Sequence, residues 1–203
     1  MAYADFTLEM VEAELGVTIR RGALFPGILP AKIPDWLPGS LARGMGLGPV
    51  SEKARSEFIV APVLLAVREL SENRISIHSG YGFDVDPARK LNGICDFLLS
   101  LSEPIPLVKA PVLAVVEAKK NDIEFGLGQC IAQMVGSRLF NERAGRPQLA
   151  IYGCVTTGED WQFLGLIGDT ITIDQSRLFI NNVELILGTF LRAVSEPPSM
   201  PGP

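Results

Sequence analysis

Histidine is almost missing from this chain: His78 is the single one among 203 residues. Chemistry that needs two or more imidazoles is thereby excluded, including a zincin-type site, a His-triad hydrolase and a two-histidine iron centre. Cysteine is scarce as well. Cys95, Cys130 and Cys154 are odd in number and contain no C-x-x-C, so neither a disulfide framework nor a zinc ribbon is indicated. Reduced thiols fit a cytoplasmic setting. No long apolar run occurs: the longest, 58–67, has about ten residues and includes Pro62, against roughly 20 needed to span a bilayer. A membrane partner is therefore not expected. The first residues lack a basic stretch followed by an apolar one, so export is not expected either. Positive charge is not in excess. With 18 Lys and Arg against 23 Asp and Glu, the net charge is -5, and bulk basicity cannot drive nucleic-acid binding. The usual phosphate cradles are missing too. There is no G-x-x-x-x-G-K-[ST], and the run from Gly126 and Gly128 reaches Ile131 where a third glycine is required. Asp84 and Asp86 start like a calcium loop, but Ala88 stands at the third ligand position, so turn chemistry is the better reading.

What is present is ordinary globular composition, 47% hydrophobic and 20% charged. The charge is uneven. Residues 1–50 hold four basic and five acidic side chains, 51–146 hold twelve of each, and 147–203 hold two basic and six acidic. Most Lys and Arg thus fall in the middle, which directs the search for phosphate chemistry there. The patterning predicts a short N-terminal helix within 5–19, then an extended piece ending at Arg20 and Arg21. Pro26, Pro30, Pro34, Pro38 and Pro49, with interspersed glycines, read as a loop or arm over 26–50. Ser51 reads as an N-cap for a helix over 52–71, kinked at Pro62. Strands are expected at 75–79, 93–101 and 111–118, then a helix at 125–143 and a strand at 148–156. A hairpin over 161–174 turns at Gly168-Asp169, and a helix closes at 183–194. The expected organisation is an N-terminal extension (1–50), one domain (51–195) and a Pro-rich tail (196–203). The fold class is mixed α/β, a central mixed β-sheet flanked by helices.

Four places carry candidate chemistry. The apolar strand ending at Val116 runs into Glu117-Ala118-Lys119, and on a strand residues i and i+2 share a face. Glu117 and Lys119 then lie side by side, a costly arrangement unless they pair, bind a metal or do work. A plain ion pair at a strand end is the simpler alternative. Asp96 interrupts an apolar run and needs partners. If its strand neighbours that of Glu117, the two carboxylates and the Ala118 backbone carbonyl make an oxygen-rich site suited to Mg2+. Glu57 shares a helical face with Val60, Ala61 and Leu64, which predicts that it faces inward. Gln129 and Gln133 share a face of the next helix; Gln129 is the site candidate, Gln133 an ordinary polar helix position. His78 reads as a core or edge residue, and Tyr81, Trp161 and Phe163 as packing.

Glu57, Asp96, Glu117-x-Lys119 and Gln129, in that order over about residues 51–157, resemble the PD-(D/E)xK nuclease superfamily. The wording S-E-K-A-R-S-E-F-I-V-A-P-V-L, L-N-G-I-C-D-F and V-V-E-A-K-K with G-L-G-Q-C-I-A-Q-M also looks like a bacterial group within it. Cys95 stands where the family has proline before the aspartate. The resemblance implies a restriction-endonuclease-like fold and a phosphodiesterase acting on DNA. It further implies Mg2+, or Mn2+ as a substitute, held by Asp96, Glu117, the Ala118 carbonyl and, through water or a second ion, Glu57. Lys119 would orient or help deprotonate the attacking water, and Gln129 would position it. The alternative is a catalytically silent module that binds nucleic acid or a protein partner. The apolar residues of the last helix offer a homodimer interface or ordinary packing.

Overall fold

The computed structural model describes residues 2–148 and 150–195; the tail expected at 196–203 lies outside the described residues. Seven strands form one mixed sheet: β1 (Thr18–Gly22), β2 (Ser76–Gly82), β3 (Ile94–Ser100), β4 (Val112–Ala118), β5 (Ala150–Thr156), β6 (Asp160–Ile167) and β7 (Thr170–Phe179). Their spatial order is β1-β7-β6-β5-β4-β3-β2. The pairs β4/β5 and β1/β7 are parallel and the others antiparallel. Every residue of β4 is buried, as a strand with helices on both faces should be.

One face carries α1 (Leu8–Leu15) and the long α5 (Glu124–Arg143); the other carries α2 (Trp36–Gly46), α4 (Ala61–Leu70) and α6 (Val183–Ser195). The last helix uses Val183, Ile186, Leu187 and Phe190 for this second core, packed with Trp161 and Phe163. The segment 2–22 belongs to the same sheet and core. Its β1 pairs with β7, and Tyr3, Phe6, Val11 and Leu15 cover the outer side of α5. Covered on both sides, α5 is buried continuously from Gly126 to Ser137. Its glycines make this possible, since a methyl at Gly128 or Gly136 would collide with the Phe6 backbone or the Tyr3 ring.

Two local expectations are corrected. The stretch 26–50 contains a full helix, α2, because Pro38 falls in its first turn, where a missing N–H costs nothing. The helix expected over 52–71 begins at the predicted cap, with Ser51 Oγ accepting from Ala54 N–H at 3.1 Å. It is not one regular helix, however. It runs as α3 (Glu52–Arg55), a π turn (Ser56–Val60) and α4. Ala61 N–H reaches back to the Ser56 carbonyl, which inserts a residue into the turn. Pro62 brings no N–H to the Phe58 carbonyl four residues earlier, so the regular ladder fails at this point. On the outside, α2 crosses here at Gly44, whose missing Cβ leaves room for that same Phe58 carbonyl.

Gly44→Ala therefore forces backbone against backbone and should destabilise by about 1–3 kcal/mol, the usual scale of overpacking. Gly46→Ala, in the same helix with open space around it, should be neutral or stabilising by up to ~1 kcal/mol. Urea unfolding of the two variants checks the contrast; equal effects would remove the close crossing from the account.

Candidate active site

The end of β4 and the first half of α5 build the site. Because α5 lies directly on β4 and β5, polar side chains on its inner face must find partners in the sheet. At one end, Asn141 Oδ1 accepts from Val112 N–H and its Nδ2 donates to the Val112 carbonyl, both at 2.8 Å. At the other, Gln133 Nε2 donates to Glu117 Oε2 at 2.9 Å. The second oxygen, Oε1, accepts from Lys119 Nζ at 2.8 Å, and Lys119 also donates to Gln129 Oε1 at 3.0 Å. Glu117, Lys119, Gln129 and Gln133 thus form one connected network. Gly126 keeps α5 close enough for it: an added methyl there would press on Lys119 and Val155.

Asp96 enters from β3. The β3/β4 ladder has Phe97 opposite Val116 as its last pair at this end. Beyond it the two strands are tied by a side chain, Asp96 Oδ2 accepting from Ala118 N–H at 2.8 Å. The two carboxyls lie close enough for the Asp96 charge to act on Glu117. Burial, reinforced by Asp96, pushes the Glu117 carboxyl up to about 7, although Lys119 and Gln133 act the other way. Burial also raises Asp96, against the Ala118 N–H that favours its charged form. For Lys119 burial favours the neutral amine, but Glu117, Glu52 and Asp96 outweigh it and hold the side chain protonated.

Asp96, Glu117, Lys119 and Gln129 are therefore brought together. Glu57 is not. It is exposed and pairs with Lys53 at 3.7 Å outside this network, although it lines a groove of about 260 Å³ together with Glu52, Ser79, Gly80 and Asp96. The inward-facing expectation assumed an unbroken 3.6-residue period through Leu64, and the π turn breaks that period between the two. Glu52 is the helix acid whose field reaches both Asp96 and Lys119. In the sequence it stands out only as a first-turn acid favoured by the helix dipole. Gln133 is more than an ordinary polar helix position; it is fully buried, and its Oε1 has no partner. Its spacing of four from Gln129 is the signal the sequence offers.

Among the described residues no group of three or more His, Cys, Asp or Glu comes together as a metal cage. No helix of the described residues is long and apolar enough to cross a membrane. His78 is buried on β2 against Ser100 Oγ at 3.3 Å. Tyr81 packs edge-on to it, and Trp161 and Phe163 are core residues. The chain matches no protein-family model and no curated protein sequence.

The two carboxyls carry a pH signature. Both are held above their ordinary range, so the folded state keeps protons that the unfolded chain gives up near pH 4. Their contribution to stability falls as pH rises from about 4 through about 7. Asp96→Asn removes one of the repelling charges. It should stabilise the protein by on the order of 1 kcal/mol near pH 8, with the gain fading toward pH 4. Urea midpoints across this range measure it; a variant less stable than wild type near pH 8 would contradict the electrostatic account.

Proposed function

We propose that the chain is a divalent-cation-dependent phosphodiesterase of restriction-endonuclease-like architecture that acts on DNA. The observation that carries this reading is the convergence of Asp96 and Glu117 with Lys119, itself held by Glu117 and Gln129, at the open end of two neighbouring strands. Two desolvated carboxylates that repel each other form a donor set short of positive charge. Mg2+ commonly binds to only one or two protein carboxylates and keeps water and substrate phosphate in its other positions, so a pair of acids is enough. Asp96, Glu117 and the Ala118 carbonyl would hold Mg2+ or Mn2+, which supplies Lewis-acid polarisation of a phosphoryl oxygen when bound.

The remaining roles fall to the chain's own groups. Lys119 is an ammonium beside Glu117, hence a hydrogen-bond donor. It orients the attacking water and stabilises charge on the phosphate, and does not serve as a base in this state. Gln129 accepts one of its N–H groups and limits where the ammonium can point. Gln133 holds the rear oxygen of Glu117, so the carboxylate does not swing when Lys119 turns toward substrate. Glu52 stands across the groove, where it can bind a water that belongs to the reaction.

A second reading, a nuclease-fold module that binds DNA without cutting it, is favoured by one observation: two of the three Lys119 N–H groups are already used within the protein. Kinetics separate the two. Cleavage of DNA should require Mg2+ or Mn2+ and fail with Ca2+. Lys119→Met should lower the rate by at least about 10²-fold with DNA affinity little changed, and Asp96→Ala or Glu117→Ala should abolish cleavage. Mg2+ should also raise the melting temperature of wild type but not of Asp96→Asn. Wild type that binds DNA yet stays inert with Mn2+ at low salt selects the binding module.

A further inference from the structure

Arg55 has an unmet hydrogen bond where the site is otherwise acidic. It lies one turn after Glu52 on the same side of α3. Its side chain is 17% exposed, and Nη1 donates to the Thr157 carbonyl at 2.8 Å. The same Nη1 reaches Glu159 Oε1 at 3.2 Å, but Glu159 is 64% exposed, and a pair with so solvated an acid contributes little. Nε is buried and has no acceptor. The guanidinium is thus under-satisfied inside the protein, and its contact with the solvated Glu159 is the one that an anion can replace.

The location suits a substrate phosphate. Thr157 follows Thr156, whose carbonyl accepts the Lys119 backbone N–H at 2.7 Å. Adjacent strands lie about 4.8 Å apart. Arg55 is thus anchored about one strand beyond Lys119 at the same end of the sheet, on the side away from Asp96. Its anchor is rigid. In the turn, Gly158 N–H donates to Thr156 Oγ1 at 2.8 Å, Thr156 Oγ1 donates to the Asp160 carbonyl at 2.7 Å, and Trp161 Nε1 donates to the Gly158 carbonyl at 3.1 Å. A pre-positioned guanidinium fork is the side chain best matched to phosphate oxygens. Resting on the phosphodiesterase reading above, we propose that Arg55 binds a backbone phosphate of the DNA strand beside the scissile one, and that Glu159 is a stand-in acceptor which this phosphate displaces.

The proposal makes opposite demands on the two partners. A merely structural tie between α3 and the 157–159 turn would not. Binding of a labelled DNA oligonucleotide to the metal-free full chain, in chelator and over a series of salt concentrations, reads the difference. Arg55→Gln should weaken binding by roughly tenfold, the scale of one charge-assisted contact. It should also flatten the slope of log affinity against log salt by about one phosphate contact. Arg55→Lys should restore the slope but only part of the affinity. Glu159→Gln, at an exposed position, should tighten binding. Equal weakening in Arg55→Gln and Glu159→Gln would mean that the pair only holds the turn, and would overturn the proposal. So would wild-type affinity and salt slope in Arg55→Gln alongside normal cleavage, which would leave the phosphodiesterase reading intact. Wild type that neither binds nor cuts DNA would overturn both. If Arg55→Gln does not fold, Arg55→Lys and Glu159→Gln carry the same test.

Discussion

Glu117 closes a strand in which every residue is buried, and only 3% of its own side chain meets solvent. A carboxylate in such a place must be neutralised, hydrogen-bonded or both, and the surroundings are arranged around that need. One oxygen is held by Gln133 from the helix above, the other by Lys119 two residues along the chain. Asp96 then adds a second negative charge instead of relieving the first. The result is a tightly bonded network that still lacks positive charge. On the phosphodiesterase reading proposed above, a bound cation would supply that charge.

The network depends on the unusual burial of α5. A helix packed on a sheet on one side usually shows water its other face, but here the N-terminal segment occupies that face with Tyr3, Phe6, Val11 and Leu15. Glycines at 126, 128 and 136 let the backbone approach both layers. Residues 2–22 are therefore part of the frame that fixes Gln129 and Gln133 over the end of β4. Their role as an edge strand and helix cover links the N-terminus of the chain to the geometry of the site.

The first helix after the α2 crossing shows how one backbone irregularity redistributes chemistry. Ser51 caps α3 so that Glu52 and Arg55 share the side toward the sheet end, and the π turn over 56–60 then rotates α4 relative to α3. Ile59 and Val60 enter the core while Glu57 is left in solvent beside Lys53. The Gly44 crossing and Pro62 accompany the turn from either side, one by leaving space and one by withholding a hydrogen bond.

Much of this was legible before any coordinates. Alternation on β4 put Glu117 and Lys119 together, the apolar run around Asp96 marked an acid that needed partners, and the mixed sheet with helices on its faces followed from the order of elements. These are local properties, set by the period of strand and helix and by the cost of burying charge. What the sequence alone could not decide required knowing which elements touch. Gln133 became a hydrogen-bond partner of Glu117 only because α5 is covered on both sides, and β1 joined the sheet only through its distant partner β7. Glu57 came to lie in solvent because Pro62 and the crossing helix favour a wider turn, and periodicity arguments presume an unbroken helix. Residue type and spacing determined which groups could do chemistry; packing between remote segments determined which of them meet.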